Sequence, residues 1–246
     1  LQIIKSYDGP KVRIMEVCGT HTHEIFRLGI RKILPEQIEL ISGPGCPVCV
    51  TPVGFIDEAI ELALDRHATI CTFGDLIRVP GSEKSLASAR AEGADVKVVY
   101  TPTDAVEYAK EHPEKEVVFL SVGFETTTPS SCIAVEQAKE SGLSNFTILT
   151  ANKTMPSAYR MLKNSVDVYL YPGHVNAITG TDLCESLTKE GISGIVTGFT
   201  ANELLTAIAV AVKKFSEGNP FFVNAYPRVV TKEGSTNAKK LVDRLM

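Results

Sequence analysis

The sequence predicts an α/β protein of two similar lobes, each a roughly four-stranded parallel sheet flanked by helices, with a short C-terminal extension. Two observations carry that expectation. Short β-branched and aliphatic runs recur at 12–17, 38–41, 69–73, 96–100, 117–121, 146–150, 166–170 and 192–197, separated by segments of helical periodicity. Strands alternating with helices are the mark of βα units and parallel sheets. The 246 residues, 44% hydrophobic and 22% charged, supply an ordinary globular core, enough for one large domain or two small ones.

The segment holding Phe26, Ile30 and Leu34 and the segment holding Ile56, Ile60 and Leu64 repeat apolar residues at helical spacing, so each should lay one face on a sheet. The polar stretch 111–116, with Pro113, reads as a boundary because proline stops a helix and few contacts need cross such a stretch. It cuts the chain into a first lobe at 1–115 and a second at 116–210, followed by a C-terminal strand/helix segment at 211–246. Residues 201–215 are apolar nearly all round, as in a helix buried between lobes or under further chain. The chain opens on Leu1 and stops at Met246 inside the helical run 237–246, which reads as a piece of a longer protein.

A net charge of -4 with scattered Lys and Arg leaves no footprint for nucleic acid. No apolar run approaches the roughly 18–20 residues of a membrane span, and no signal pattern opens the chain, so the expected location is the cytoplasm. Six cysteines, two of them as Cys46-x-x-Cys49, point to metal or redox chemistry and away from a secreted disulfide framework.

In parallel α/β sheets ligands gather at the carboxyl ends of strands, and four loops there carry chemistry. The first strand runs into Cys18-Gly19-Thr20-His21-Thr22-His23, where helix N-terminal amides favour a thiolate. The bland alternative is that Thr20 or Thr22 caps the helix and the histidines bond locally. The second loop, Gly43-Pro44-Gly45-Cys46-Pro47-Val48-Cys49, frames two thiols rigidly. That spacing closes a disulfide or chelates a metal, and alone does not choose between them. Cys18, Cys46 and Cys49 all leave strand ends of the first lobe and are expected together. The third loop, Gly123-Phe124-Glu125-Thr126-Thr127-Thr128-Pro129, could cradle an anion with amides and hydroxyls or simply cap its helix; it is no P-loop. In Pro172-Gly173-His174-Val175, His174 is either a site residue or a structural imidazole. Cys71, Cys132 and Cys184 lie in apolar surroundings and read as small buried hydrophobes, while His67 and His112 read as solvated or C-capping.

With Met15-Glu16-Val17-Cys18-Gly19-Thr20-His21-Thr22-His23 and the other three loops in this order, the chain resembles the HypD family. The likeness spans nearly the whole chain, since Asn224-Ala225-Tyr226-Pro227-Arg228-Val229-Val230 also looks like the tail of that family's second lobe. It implies a scaffold for assembling the iron dicyanide carbonyl group, Fe(CN)2CO, of nickel-iron hydrogenases, working with a small HypC-type partner and a HypE-type cyanide donor. By that resemblance Cys18 is the iron-ligand thiol, His21 and His23 position or protonate groups around the iron, and Cys46 and Cys49 cycle between dithiol and disulfide. Glu125, Thr126, Thr127 and His174 are then candidates to contact the iron group. Two departures stand out. The family's four-iron, four-sulfur region is not evident in this chain, and Gly198-Phe199-Thr200-Ala201 stands where the family usually has Gly-Phe-Glu-Pro. Two other readings compete: an autonomous CxxC thiol-disulfide oxidoreductase, and a structural zinc protein binding through Cys18, His21, Cys46 and Cys49.

Overall fold

Among the described residues, hydrophobic runs become nine strands: β1 Val12–Glu16, β2 Ile38–Ser42, β3 Thr69–Thr72, β4 Val96–Val98, β5 Val117–Ser121, β6 Phe146–Thr150, β7 Val168–Pro172, β8 Gly194–Thr197 and β9 Phe222–Asn224. The helices are α1 Gln2–Lys5, α2 Gly19–Arg27, α3 Val53–Leu64, α4 Leu86–Ala91, α5 Pro102–Glu111, α6 Thr128–Glu140, α7 Met155–Leu162, α8 Gly173–Thr179, α9 Asp182–Leu187, α10 Ala201–Phe215 and α11 Thr236–Leu245. This computed structural model describes residues 1–245; Met246, the end of the expected helical run, lies outside them.

The strands form two wholly parallel sheets, as the α/β pattern predicts, in the orders β2-β1-β7-β8-β9 and β4-β3-β5-β6. The expected partition is corrected. The chain divides into one unit of residues 1–46 with 154–239 and another of 47–153 with 240–246, so the lobes are not consecutive halves. The stretch 111–116 is only the turn from α5 into β5, and β5 pairs with β3 of its own sheet from Thr69↔Val117 to Cys71↔Phe119. His112 C-caps α5 there, so the proline and polar residues mark a surface turn inside a unit. Nor is 211–246 an appendage: β9 extends the first sheet by pairing with β8.

In the first unit Ile14, Val168, Leu170 and Ile195 of the sheet pack with Leu204, Ala207, Ile208, Ala211 and Val212 of α10 in one core. Helix α10 thus covers its own sheet. The stripe expected at Phe26, Ile30 and Leu34 is shifted: Phe26 is 84% exposed, and Ile25 and Ile30 are the buried residues. Helix α2 ends at Arg27, and Gly29 at φ +62° turns the chain into a 3-10 turn, Ile30–Ile33, which breaks the 3.6-residue phase. In the second unit β5 is buried along its whole length, the condition of a central parallel strand. Ile56 and Ile60 of α3 pack there with Ile70, Val118 and Leu120, each fully buried aliphatic contributing about 1.5–3 kcal/mol. Among the described residues no helix is long and apolar enough to cross a membrane.

Candidate functional site: a thiol loop pair at one sheet end

Strand β1 delivers Cys18 to the N-cap of α2, with extended backbone (φ -146°, ψ 125°) and no side-chain cap. The Thr22 amide and hydroxyl both donate to the Cys18 carbonyl, at 3.0 and 3.3 Å. No side chain caps this helix at its start, and Cys18 is half-buried there.

Strand β2 lies in register with β1, Glu16 opposite Ser42, so the next loop emerges alongside. The Gly43 amide donates to Glu16 O at 2.8 Å and the Gly19 amide to Gly45 O at 3.0 Å. A Cβ on Gly45 would stand 2.4 Å from Cys18 N, and one on Gly43 2.7 Å from Met15 Sδ. Both glycines are therefore demanded by close approach. The interlock places Cys46 one residue beyond the backbone that rests on Cys18. Around it lies an open, largely apolar groove of about 480 Å³, lined by Gly19, Thr22, His23, Phe26, Gly43 and Cys46 among others.

His21 faces inward. Its ring is fully buried, its Nε2 lies 3.0 Å from Gly198 O, and its Nδ1 has no hydrogen-bond partner among the described residues. Burial pushes its pKa down to about 4 against the opposing pull of the Gly198 and Thr197 carbonyls. Nε2 therefore carries the proton, and Nδ1 is the unprotonated nitrogen. The Phe199 ring packs at a tilt against His21 at 4.6 Å and against the exposed His174 at 4.2 Å. The Phe199 and Thr200 amides donate to Glu203 Oε2, and Arg228 pairs with Glu203 at 2.7 Å. Burial raises the Glu203 pKa, but the Thr200 amide and Arg228 outweigh it and leave it at about 2. His23 is exposed, 3.9 Å from Glu24.

Cys18, Cys46, His21 and His174 thus belong to the first unit, whereas Cys49 and the 123–129 loop belong to the second. Cys49 is exposed on a 3-10 turn, Val48–Val50, tied by the Thr51 hydroxyl to Pro47 O. In the third loop the amides and hydroxyls of Thr127 and Thr128 all donate to Phe124 O. Thr127 therefore has its donors spent inside the loop, and is not the open anion donor expected of it. Thr126 is exposed and Glu125 half-buried. Cys71, Cys132 and Cys184 are buried, as expected, on β3, α6 and α9. Among the described residues no group of three or more His, Cys, Asp or Glu is placed to hold a metal.

Sequence reasoning missed Glu203, although Thr200-x-x-Glu203 is a legible capping box. It also missed the buried Glu16, whose signal was an acid inside the apolar run Ile14-Met15-Glu16-Val17.

Comparison with known proteins agrees with the motifs. A family model described as "HypD: Hydrogenase formation hypA family" matches residues 1–246. Three similar curated proteins share the name "Hydrogenase maturation factor HypD". The Rhodobacter capsulatus protein is 43% identical over 91% of this chain and 61% of its own length. That of Escherichia coli is 42% identical over 94% and 63%, and that of Cupriavidus necator 39% identical over 96% and 66%. The chain thus spans 61 to 66% of the length of these relatives. Matched from end to end by that model, the chain belongs to the HypD family of hydrogenase formation proteins.

Proposed function

We propose that this chain is the iron-handling part of a hydrogenase maturation scaffold, with iron as its cargo and Cys18 as the protein's thiolate ligand. The observation that carries the reading is the interlock of the two loops, which presents Cys18 at a helix start directly against Gly45 and beside Cys46. Soft thiolates suit iron, and Cys18 is a half-buried cysteine at a helix start. Cys46 and Cys49 serve as the electron relay: closing their disulfide forms one S–S bond and releases two electrons and two protons to the centre under assembly. The Fe(CN)2CO group is built there with cyanide from a HypE-type donor, in the cytoplasm. A HypC-type partner supplies a further thiolate and docks on the apolar groove, where the 84% exposed Phe26 is the anchor.

His21 does not fit the proton-donor part of this scheme, because its proton is committed to Gly198 O; it positions the Gly198–Phe199 loop. The exposed His23 and His174 remain the imidazoles able to exchange protons with a bound group. Thr126 and Glu125 are its candidate contacts from the third loop. The four-iron, four-sulfur cluster finds no ligand set in this stretch of chain, where the remaining cysteines sit singly on three elements, and it takes no part in the proposal.

The test is a division of labour between thiols. Cys18→Ala, co-purified anaerobically with the HypC-type partner, should lose iron entirely. Cys46→Ala and Cys49→Ala should retain part of it yet show no carbonyl or cyanide infrared bands. Equal iron loss in all three variants would replace the relay by a shared metal site, and iron retained in Cys18→Ala would remove the ligand assignment.

A further inference from the structure

Beneath the two thiol loops lies a charged side chain that the proposed chemistry does not use. Glu16 ends β1 fully buried, the only acidic residue so placed among those described. Its Oε1 accepts from Ser42 Oγ at 2.7 Å and from Arg31 Nη2 at 2.8 Å, and Arg31 also donates to Ser42 Oγ at 2.9 Å and to Leu40 O. Glu16 Oε2 is buried with no hydrogen-bond partner among the described residues. Burying a carboxylate costs several kcal/mol, and an apolar side chain of similar size is often as stable or more so. The core alone gives no reason for a carboxylate here.

The connectivity gives one. Cys18 stands two residues beyond Glu16, and Cys46 four beyond Ser42. Arg31 comes from the 3-10 turn that follows α2, the helix that begins at Cys18. One carboxylate oxygen thus gathers the end of β1, the end of β2 and the far end of the Cys18 helix segment. The Glu16 carbonyl adds a fourth tie by accepting from the Gly43 amide. We propose that Glu16, through Arg31 and Ser42, is a positioning residue that sets Cys18 against the Gly43–Cys46 loop. This rests on reading Cys18 and Cys46 as the working thiols.

The test is the alkylation rate of each cysteine under native conditions, resolved peptide by peptide on the full chain with reductant present and iron chelated. The buried Cys71, Cys132 and Cys184 report any general unfolding. Glu16→Leu should raise the Cys18 and Cys46 rates by about tenfold or more, the scale set by unpairing a buried polar group. Glu16→Gln, which keeps an accepting oxygen, should stay within about twofold of the parent, and Ser42→Ala, one tie lost, should raise both by roughly threefold. Cys18 and Cys46 rates unchanged in Glu16→Leu would overturn the proposal. If Glu16→Leu exposes the three buried thiols, Ser42→Ala decides, and unchanged rates there overturn it as well. Because these rates are read without iron, a failed brace is distinguishable from a failed iron assignment, which shows instead as iron retained in Cys18→Ala.

Discussion

Three residues past Cys18, the fold keeps a histidine neutral, and that has a measurable cost in acid. His21 has its pKa lowered from 6.5 to about 4, first by burial, while two backbone carbonyls pull the other way. A depressed histidine pKa means that the folded state prefers the uncharged ring. His21 therefore contributes fully above about pH 6.5, and its contribution is lost as pH falls through that value toward 4. The loss amounts to roughly 3 kcal/mol when complete. We expect urea-unfolding stability of the parent to fall between pH 7 and 4.5 more steeply than that of His21→Gln, with the curves converging in acid. Parallel curves would contradict the buried, neutral ring. Glu203 does not confuse the comparison: both proteins contain it, and with its pKa lowered from 4.5 to about 2 its contribution begins to be lost only as pH nears 4.5. The cysteine-bearing loops were legible in the sequence because glycine, proline and cysteine declare themselves locally. That His21 turns inward was not, because its partners Gly198 and Phe199 lie far along the chain.

At the scale of elements, local pattern located most of the strands closely. The runs at 117–121 and 146–150 coincide with β5 and β6, and β1 to β4 fall within two residues of expectation. Strand β7 lies two residues later than expected and ends on Pro172, which doubles as the N-cap of α8; proline is tolerated at a strand end, where its missing donor breaks no ladder. Strand β9 was foreseen only as a strand somewhere in 211–246, not by its position. Its three residues are half-buried and follow directly on Pro220-Phe221, so it has neither the length nor the alternation of a strand and is defined only by pairing with β8. Helix α2 buries His21 and Ile25, four residues apart, which leaves Phe26 exposed at the rim of the thiol groove, and Gly29 at φ +62° resets the phase before Ile30.

At the scale of the whole molecule, the class of fold was legible and its connectivity was not. A βα crossover within a sheet and a passage from one unit to the other look alike in sequence, because each is a short loop between a strand and a helix. Only pairing of β1 with β7 and of β3 with β5 distinguishes them. This arrangement predicts which pieces stand alone. The cores around Ile70 and Phe119 draw only on residues 47–153, so the excised segment 47–153 should unfold cooperatively in urea with helical and sheet circular dichroism. Segment 1–115, which keeps β1 and β2 but lacks β7 and β8, should not; a cooperative 1–115 would restore the consecutive lobes. Whether the paired thiol loops serve iron assembly is decided by metal analysis and infrared spectroscopy of the parent protein purified anaerobically with a HypC-type protein. The expected result is iron together with carbonyl and cyanide stretching bands. Stoichiometric zinc, or active thiols with no metal at all, would contradict it.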